Sequence, residues 1–199
     1  MDKSISRQYF NDHAQGWDTT KRSNAPHQLQ AMAARLDFPT DALVMDVGSG
    51  TGVFVPYVQR KLCELGLVVC VDFAFKMLDI ARIKNSNHTI NYLCAEIETA
   101  GFSANVFDAA VCYSTFPHFH DKPLALENIY RLLKPGSRIF ICHTASREFI
   151  NNIHLNIPDF IDHLIPPKDE MLVLMKEAGY HDIRIEEAQD SYLACGTKS

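Results

Sequence analysis

The sequence predicts an α/β fold, a doubly wound and mainly parallel sheet with an antiparallel strand near its end. Three observations predict it. Short apolar runs alternate with longer amphipathic stretches from position 42 to 143, as right-handed βαβ units require. Leu67–Val71 is apolar throughout, as expected of a strand covered on both faces. Ile183/Ile185 and Tyr192/Ala194 then alternate around Ala188-Gln189-Asp190, a turn so short that its two strands must run antiparallel.

Residues 1–41 are polar and read as helical. Tyr9, Phe10 and Trp17 mark a first segment, and Leu29, Met32, Ala33 and Leu36 a helical stripe in a second, before Pro39-Thr40-Asp41 breaks the chain. Ala42–Val47 is the first strand. Val53–Leu65 carries Val55, Val58, Leu62 and Leu65 on one helical face, with Gly66 as its expected C-terminal cap. Leu67–Val71, Thr89–Cys94, Val106–Tyr113 and Arg138–His143 are the next strands, and Phe75–Lys84 is helical between the first two of them. Asp121–Leu133 is the clearest helix: Asp121 caps it, Pro123 suits its first turn, and Leu126, Ile129, Tyr130 and Leu133 line one side. Lys134-Pro135-Gly136 ends it. Residues 144–167 leave the rhythm as two Pro-bounded apolar patches, and Asp169–Ala178 with Gly179 forms a last helix before the hairpin.

A length of 199 residues favours one domain and suffices to bury a core without disulfides or metals. The 19 Lys and Arg against 24 Asp and Glu give a charge of -5, a poor footprint for a nucleic-acid partner. The apolar runs are too short to span a bilayer. Met1-Asp2-Lys3-Ser4 leads into a polar, aromatic segment and not a signal-peptide core, so the chain reads as cytoplasmic. The six cysteines contain no C-x-x-C pair. Cys70, Cys94, Cys112 and Cys142 fall in or at the end of apolar runs and are expected to be buried free thiols.

Asp46-Val47-Gly48-Ser49-Gly50-Thr51-Gly52 follows the first strand and opens a helix. Glycines there let backbone approach a ligand, and a helix start presents free N–H groups. A dinucleotide fingerprint would place its third glycine at Val53, one residue later than Gly52. Asp46 is a further acceptor, which repels pyrophosphate and attracts a cationic or amine-bearing ligand. Asp72 ends the second strand, placed to accept from ribose hydroxyls.

At these residues the sequence resembles the class I S-adenosylmethionine-dependent methyltransferases, in the small-molecule group with a D-x-G-x-G-x-G signature. The glycine loop matches in full. Asp72-Phe73-Ala74-Phe75-Lys76-Met77-Leu78 matches the second motif, with Ala74 where Ser is common. Ala95-Glu96-Ile97-Glu98-Thr99-Ala100-Gly101-Phe102 is similar to a G-D-A-E-x-L-P-F segment, with Glu96 in place of the usual Asp. Phe107-Asp108 through Thr115-Phe116-Pro117-His118 resembles the fourth motif. Leu132-Leu133-Lys134-Pro135-Gly136 is similar to the L-K-P-G-G turn, and Gly179-Tyr180 to the E-A-G-F step.

The resemblance implies a Rossmann-like, seven-stranded sheet and methyl transfer from S-adenosylmethionine to a small-molecule acceptor, leaving S-adenosylhomocysteine. It assigns cofactor contacts to Asp46, Gly48, Ser49, Gly50, Gly52, Asp72, Phe73, Met77, Glu96, Ile97 and Ser114, with Tyr9 folding over the cleft. It divides a single domain, 1–199, into a helical cap (1–41), a cofactor-binding core (42–143), a substrate-side insert (144–167) and a C-terminal helix with hairpin (168–199). His118, His120, His143, His154 and His163 are all placed to reach one cleft. His118, then His154, is the candidate catalytic base, since imidazole takes a proton near pH 7. No ligand spacing recommends a metal. Phe149, Ile150, Ile153, Phe160 and Leu164 are expected to form an apolar lid, of which half serves equally well as a homodimer interface. A non-catalytic S-adenosylmethionine- or S-adenosylhomocysteine-binding regulatory protein and a thiol or metalloid methyltransferase remain as alternatives.

Overall fold

In the computed structural model, which describes residues 3–20 and 25–199, the N-terminal segment folds as α1 (Lys3–His13), α2 (Trp17–Thr20) and α3 (Pro26–Ala34). Met1 and Asp2, at the head of the polar first segment, and residues 21–24 of the expected helical cap lie outside the described residues. The rest alternates: β1 (Leu43–Val47), α4 (Val55–Gln59), β2 (Leu67–Asp72), α5 (Phe75–Lys84), β3 (Ile90–Cys94), β4 (Phe107–Tyr113), α6 (Lys122–Leu132), β5 (Leu133–His143), α7 (Arg147–Leu155), α8 (Lys168–Glu177), β6 (His181–Glu187) and β7 (Tyr192–Thr197).

The seven strands form one sheet in the order β3-β2-β1-β4-β5-β7-β6. Only β7 is reversed, pairing antiparallel with both β5 and β6. Strand order turns back between β1 and β4, which pair in parallel through Val44–Ala109 and Asp46–Val111. The crevice outside their carboxyl ends is where such sheets bind ligands.

Period-two alternation builds the two core layers. Met45, Ala110, Cys112 and Ile139 face α6 and α8, whereas Val44, Ala109, Val111 and Phe140 face α3 and α4. A third cluster of Phe10, Ala14, Ala74, Met77 and Phe160 ties the N-terminal segment to α5 and to residues 144–167. The α6 start is as the sequence predicts, with Asp121 accepting from the Leu124 N–H at 3.0 Å.

Four expectations need correction. The helix after the glycine loop ends at Gln59, because the Cys63 N–H bonds to Thr40 O at 2.7 Å and draws the chain away; Gly66 closes the following turn instead of capping a helix. Lys134-Pro135-Gly136 lies inside β5 as an irregular bulge, where Gly136, at φ +80°, gives its N–H to Lys198 O at 2.9 Å. Residues 144–167 contain a regular helix, α7, whose first turn is capped by Ser146 Oγ accepting from the Phe149 N–H. Cys94 is exposed, since β3 is an edge strand with its outer face uncovered, while Cys70, Cys112 and Cys142 are buried free thiols.

Candidate active site

The glycine loop after β1 reaches across to β2. The N–H groups of Gly48 and Ser49 donate to Val71 O at 2.7 and 3.2 Å. The Gly50 N–H donates to Asp72 Oδ2 and the Ala74 N–H to Oδ1, both at 2.8 Å. Glycine is required at two positions for different reasons. At Gly48 (φ +63°) a Cβ would stand 1.9 Å from Thr115 Oγ1, so this turn and the loop after β4 meet in van der Waals contact. At Gly50 (φ +54°) a Cβ would meet nothing within 4 Å; the open space beside the backbone is what a ligand cradle provides.

Two carboxyls are buried under this loop. Burial raises Asp72 to about 6, against the opposing pull of the Ala74, Gly50 and Phe73 N–H groups. Burial, then the charge of Asp72, raises Asp46 to about 8. Asp46 is 2% exposed and its Oδ2 has no hydrogen-bond partner. Such an orphaned acceptor fits a donor arriving from outside the chain. Each Asp72 oxygen accepts one backbone N–H and retains capacity for a second donor.

Two narrow clefts flank Asp72. One, about 50 Å³, lies between Phe73, Glu96, Ile97 and Gly48. The other, about 60 Å³, runs along Gly48, Ser49 and Gly50 to Met77, Ser114 and Trp17. Glu96 is ion-paired with Arg7 of α1, whose guanidinium lies 6.0 Å from the centre of the Phe73 ring. Arg7 therefore covers the face of Phe73 beside the carboxylate that the sequence offers to an adenine amino group. The neighbouring Glu98 is committed elsewhere, accepting from the His120 N–H at 3.0 Å.

A much larger cavity, about 700 Å³, opens beyond His118. Tyr9, Trp17, Phe149, Ile153 and Phe160 are in its walls, and His118, His143 and His154 all line it. His118 Nδ1 and His163 Nδ1 share a hydrogen bond at 3.0 Å, and His154 Nδ1 donates to His163 O. Phe160 stacks on His163 at 4.9 Å and meets His118 edge-on at 5.1 Å. Burial, together with Lys122 and His154, pushes His163 down to about 4, so it is neutral at physiological pH. His120 is exposed and lines the smaller cleft beside Glu98, together with His118 and His163.

Gly48, Ser49, Gly50, Asp72, Phe73, Met77, Glu96, Ile97, Ser114 and His118 thus line the two clefts. Gly52 packs on α5, where a Cβ would lie 3.0 Å from that of Ala81. Tyr9 and His154 lie on the large cavity, with the Tyr9 ring stacked 4.1 Å from His13. Asp46 sits beneath the loop and lines neither cleft. Sequence reasoning overlooked Arg7, which has no motif around it, and Thr115, whose fit to Gly48 exists only once the sheet is assembled. Among the described residues, no three His, Cys, Asp or Glu side chains are grouped to hold a metal, and no helix is long and apolar enough to cross a membrane.

A methyltransferase domain family matches residues 45–141. The chain is 29% identical over 167 residues to the ubiquinone/menaquinone biosynthesis C-methyltransferase UbiE of Haemophilus ducreyi, covering 70% of this chain and 64% of that one. It therefore spans less than two thirds of that relative's length. Its fold is that of a Haloferax volcanii methyltransferase solved in complex with the Trm112 activator, with TM-score 0.75, 19% identity, and 94% and 96% of the two chains covered. It is also similar to a Haemonchus contortus phosphoethanolamine N-methyltransferase bound to S-adenosyl-L-methionine, with TM-score 0.69, 16% identity, and 86% and 52% covered.

Proposed function

The chain belongs to the class I S-adenosylmethionine-dependent methyltransferases, and on that premise we propose that it methylates a small-molecule acceptor and releases S-adenosylhomocysteine. The observation that carries this reading is a junction: Ser114, His118 and Trp17 line both the glycine-loop cleft and the cavity of about 700 Å³. A donor on one side and an acceptor on the other would meet there, with little water between them.

The residues fit the donor. Asp72 would take two hydroxyls on the lone pairs it keeps, Phe73, Met77 and Ile97 would flank a flat base, and Glu96, once released from Arg7, would accept from an amino group. Asp46 would accept from a cationic amine, which in turn would favour its ionised form. When bound, S-adenosylmethionine supplies a sulfonium methyl, so the new bond to carbon forms as the carbon–sulfur pair returns to sulfur. Holding the reactants in line is then the main task, and a base is needed only where the acceptor carries a proton. His118, at the junction, would take that proton, with His154 the next candidate along the cavity. Cys70, Cys112 and Cys142 do not compete, being buried and pushed up by desolvation, away from the nucleophilic thiolate.

In this reading 1–199 act as one domain, with 1–41 and 144–167 enclosing the acceptor, in the cytoplasm where six free cysteines persist. The test uses methyl-tritiated S-adenosylmethionine with a small-molecule extract. Label should move into low-molecular-weight organic product. Label that stays on the donor after prolonged incubation would favour the non-catalytic alternative. His118→Ala is expected to leave S-adenosylhomocysteine affinity unchanged while lowering turnover about 100-fold or more, within the usual range for a lost general base; equal turnover would remove its assignment.

A further inference from the structure

Three residues of α1 reach the walls of the donor crevice. Arg7, Phe10 and Asn11 stand at i, i+3 and i+4, on one face of the helix. Arg7 pairs with Glu96, and its guanidinium lies over the Phe73 ring, 6.0 Å from the centre. Phe10 meets Phe73 edge-on at 5.7 Å, and Asn11 Oδ1 accepts from the Lys76 N–H at 3.0 Å. Further along, Asp18 of α2 accepts from Thr51 Oγ1 in the glycine loop and from Lys84 Nζ of α5, both at 2.6 Å. The N-terminal segment is thus tied to the glycine loop, to the segment after Asp72 and to Glu96, the three stretches that would hold the donor.

Those ties narrow the donor side. Ser6 lines the cleft of about 50 Å³, and Phe10 and Trp17 line the one of about 60 Å³. Both are far below the roughly 300 Å³ at which small-ligand pockets begin. A nucleoside seated against Phe73, Ile97 and Glu96 therefore needs the segment to draw back. The Arg7–Glu96 pair is the tie that such a ligand can replace in kind. A guanidinium is planar, gives N–H groups to a carboxylate and lies on an aromatic face. An aminopurine edge has the same shape and the same donors. The two side chains are 46% and 22% exposed, so water can take over the arginine's charge once it leaves.

We propose that Arg7 is an internal competitor of the methyl donor: its guanidinium holds Glu96 and the face of Phe73 until an aminopurine replaces it, and α1 moves aside in the exchange. The proposal rests on the reading that this crevice takes S-adenosylmethionine. The opposite face of α1 carries Tyr9, Asp12 and His13 into the wall of the large cavity, so the movement reaches the acceptor side as well.

Arg7→Ala tests this in the full chain, by calorimetric titration with S-adenosylhomocysteine, which carries the donor's nucleoside. Arg7 is half-exposed and Ala is the better helix former, so the fold is retained; thermal melting of the variant checks it. Apparent affinity is reduced by the fraction of molecules whose site is closed. Removing a half-exposed ion pair and a cation over a ring is therefore expected to tighten binding about three- to tenfold at low salt. At 1 M salt, where the Debye length is about 3 Å, the pair is screened in the wild type and the gain is expected to shrink. Equal or weaker binding by the variant at low salt overturns the proposal, weaker binding making Arg7 a residue that grips the donor. A gain that salt leaves unchanged overturns it too, since the obstacle is then steric and not ionic. The two levels separate cleanly: if both proteins bind and only the gain is missing, the donor reading stands, and if neither binds, that reading fails and takes the proposal with it.

Discussion

Asp72→Ala is expected to weaken S-adenosylhomocysteine binding by about 1–3 kcal/mol, roughly tenfold to more than a hundredfold, and to lower stability as well. Two losses combine. Ribose hydroxyls lose their acceptor, and so do the Gly50 and Ala74 N–H groups that fix the glycine loop over β2. Calorimetric titration of variant and wild type measures the first loss, and thermal melting of the ligand-free protein measures the second. A variant that melts lower but binds equally well would leave Asp72 a purely structural brace and remove the ribose assignment.

Asp46→Asn is expected to change how stability depends on pH. With its carboxyl raised to about 8 in the folded protein and near 4 when unfolded, Asp46 makes the native state bind more protons in that interval. Stability from this group is then fully present below about pH 4 and lost as pH rises through 8. The substituted amide carries no such proton, so the variant gains on wild type across that window, by an amount on the order of a few kcal/mol. The comparison must be a difference between the two proteins. His163, lowered to about 4, contributes with the opposite sign in both and cancels. The same variant should bind S-adenosylhomocysteine about ten- to a hundredfold more weakly, since a charge-assisted hydrogen bond contributes about 1.5–3 kcal/mol. Parallel melting curves from pH 4 to 8 would show that Asp46 is not a buried, proton-holding group.

Most of the sheet was legible because its strands carry continuous apolar runs and its helices have local signals. Phe75–Lys84 begins and ends where its pattern does, and Asp121 announces α6. Expectations failed where a distant partner decides the local structure. The Cys63 N–H follows Thr40 and not its own helix, and the bulge at Gly136 is held by the far end of β7. The glycine loop and Asp72 were legible as motifs, since Gly48 and Gly50 shape a single backbone turn whose Gly50 N–H is held by Asp72. The Arg7–Glu96 ion pair was not, because it joins segments 89 positions apart and, although Glu96 lies in a motif, Arg7 has no pattern around it. The histidines were only half legible: five were placed near one crevice, but His163 holding His118 and turning its carbonyl to His154 depends on how residues 156–163 fold over Phe160.

Binding of the methyl donor at the β1–β4 crevice is measured by isothermal titration calorimetry of the purified chain with S-adenosylhomocysteine, using NADH for comparison. Saturable one-to-one binding of S-adenosylhomocysteine and none of NADH is the expected result. Binding of NADH alone, or of neither ligand, would contradict it.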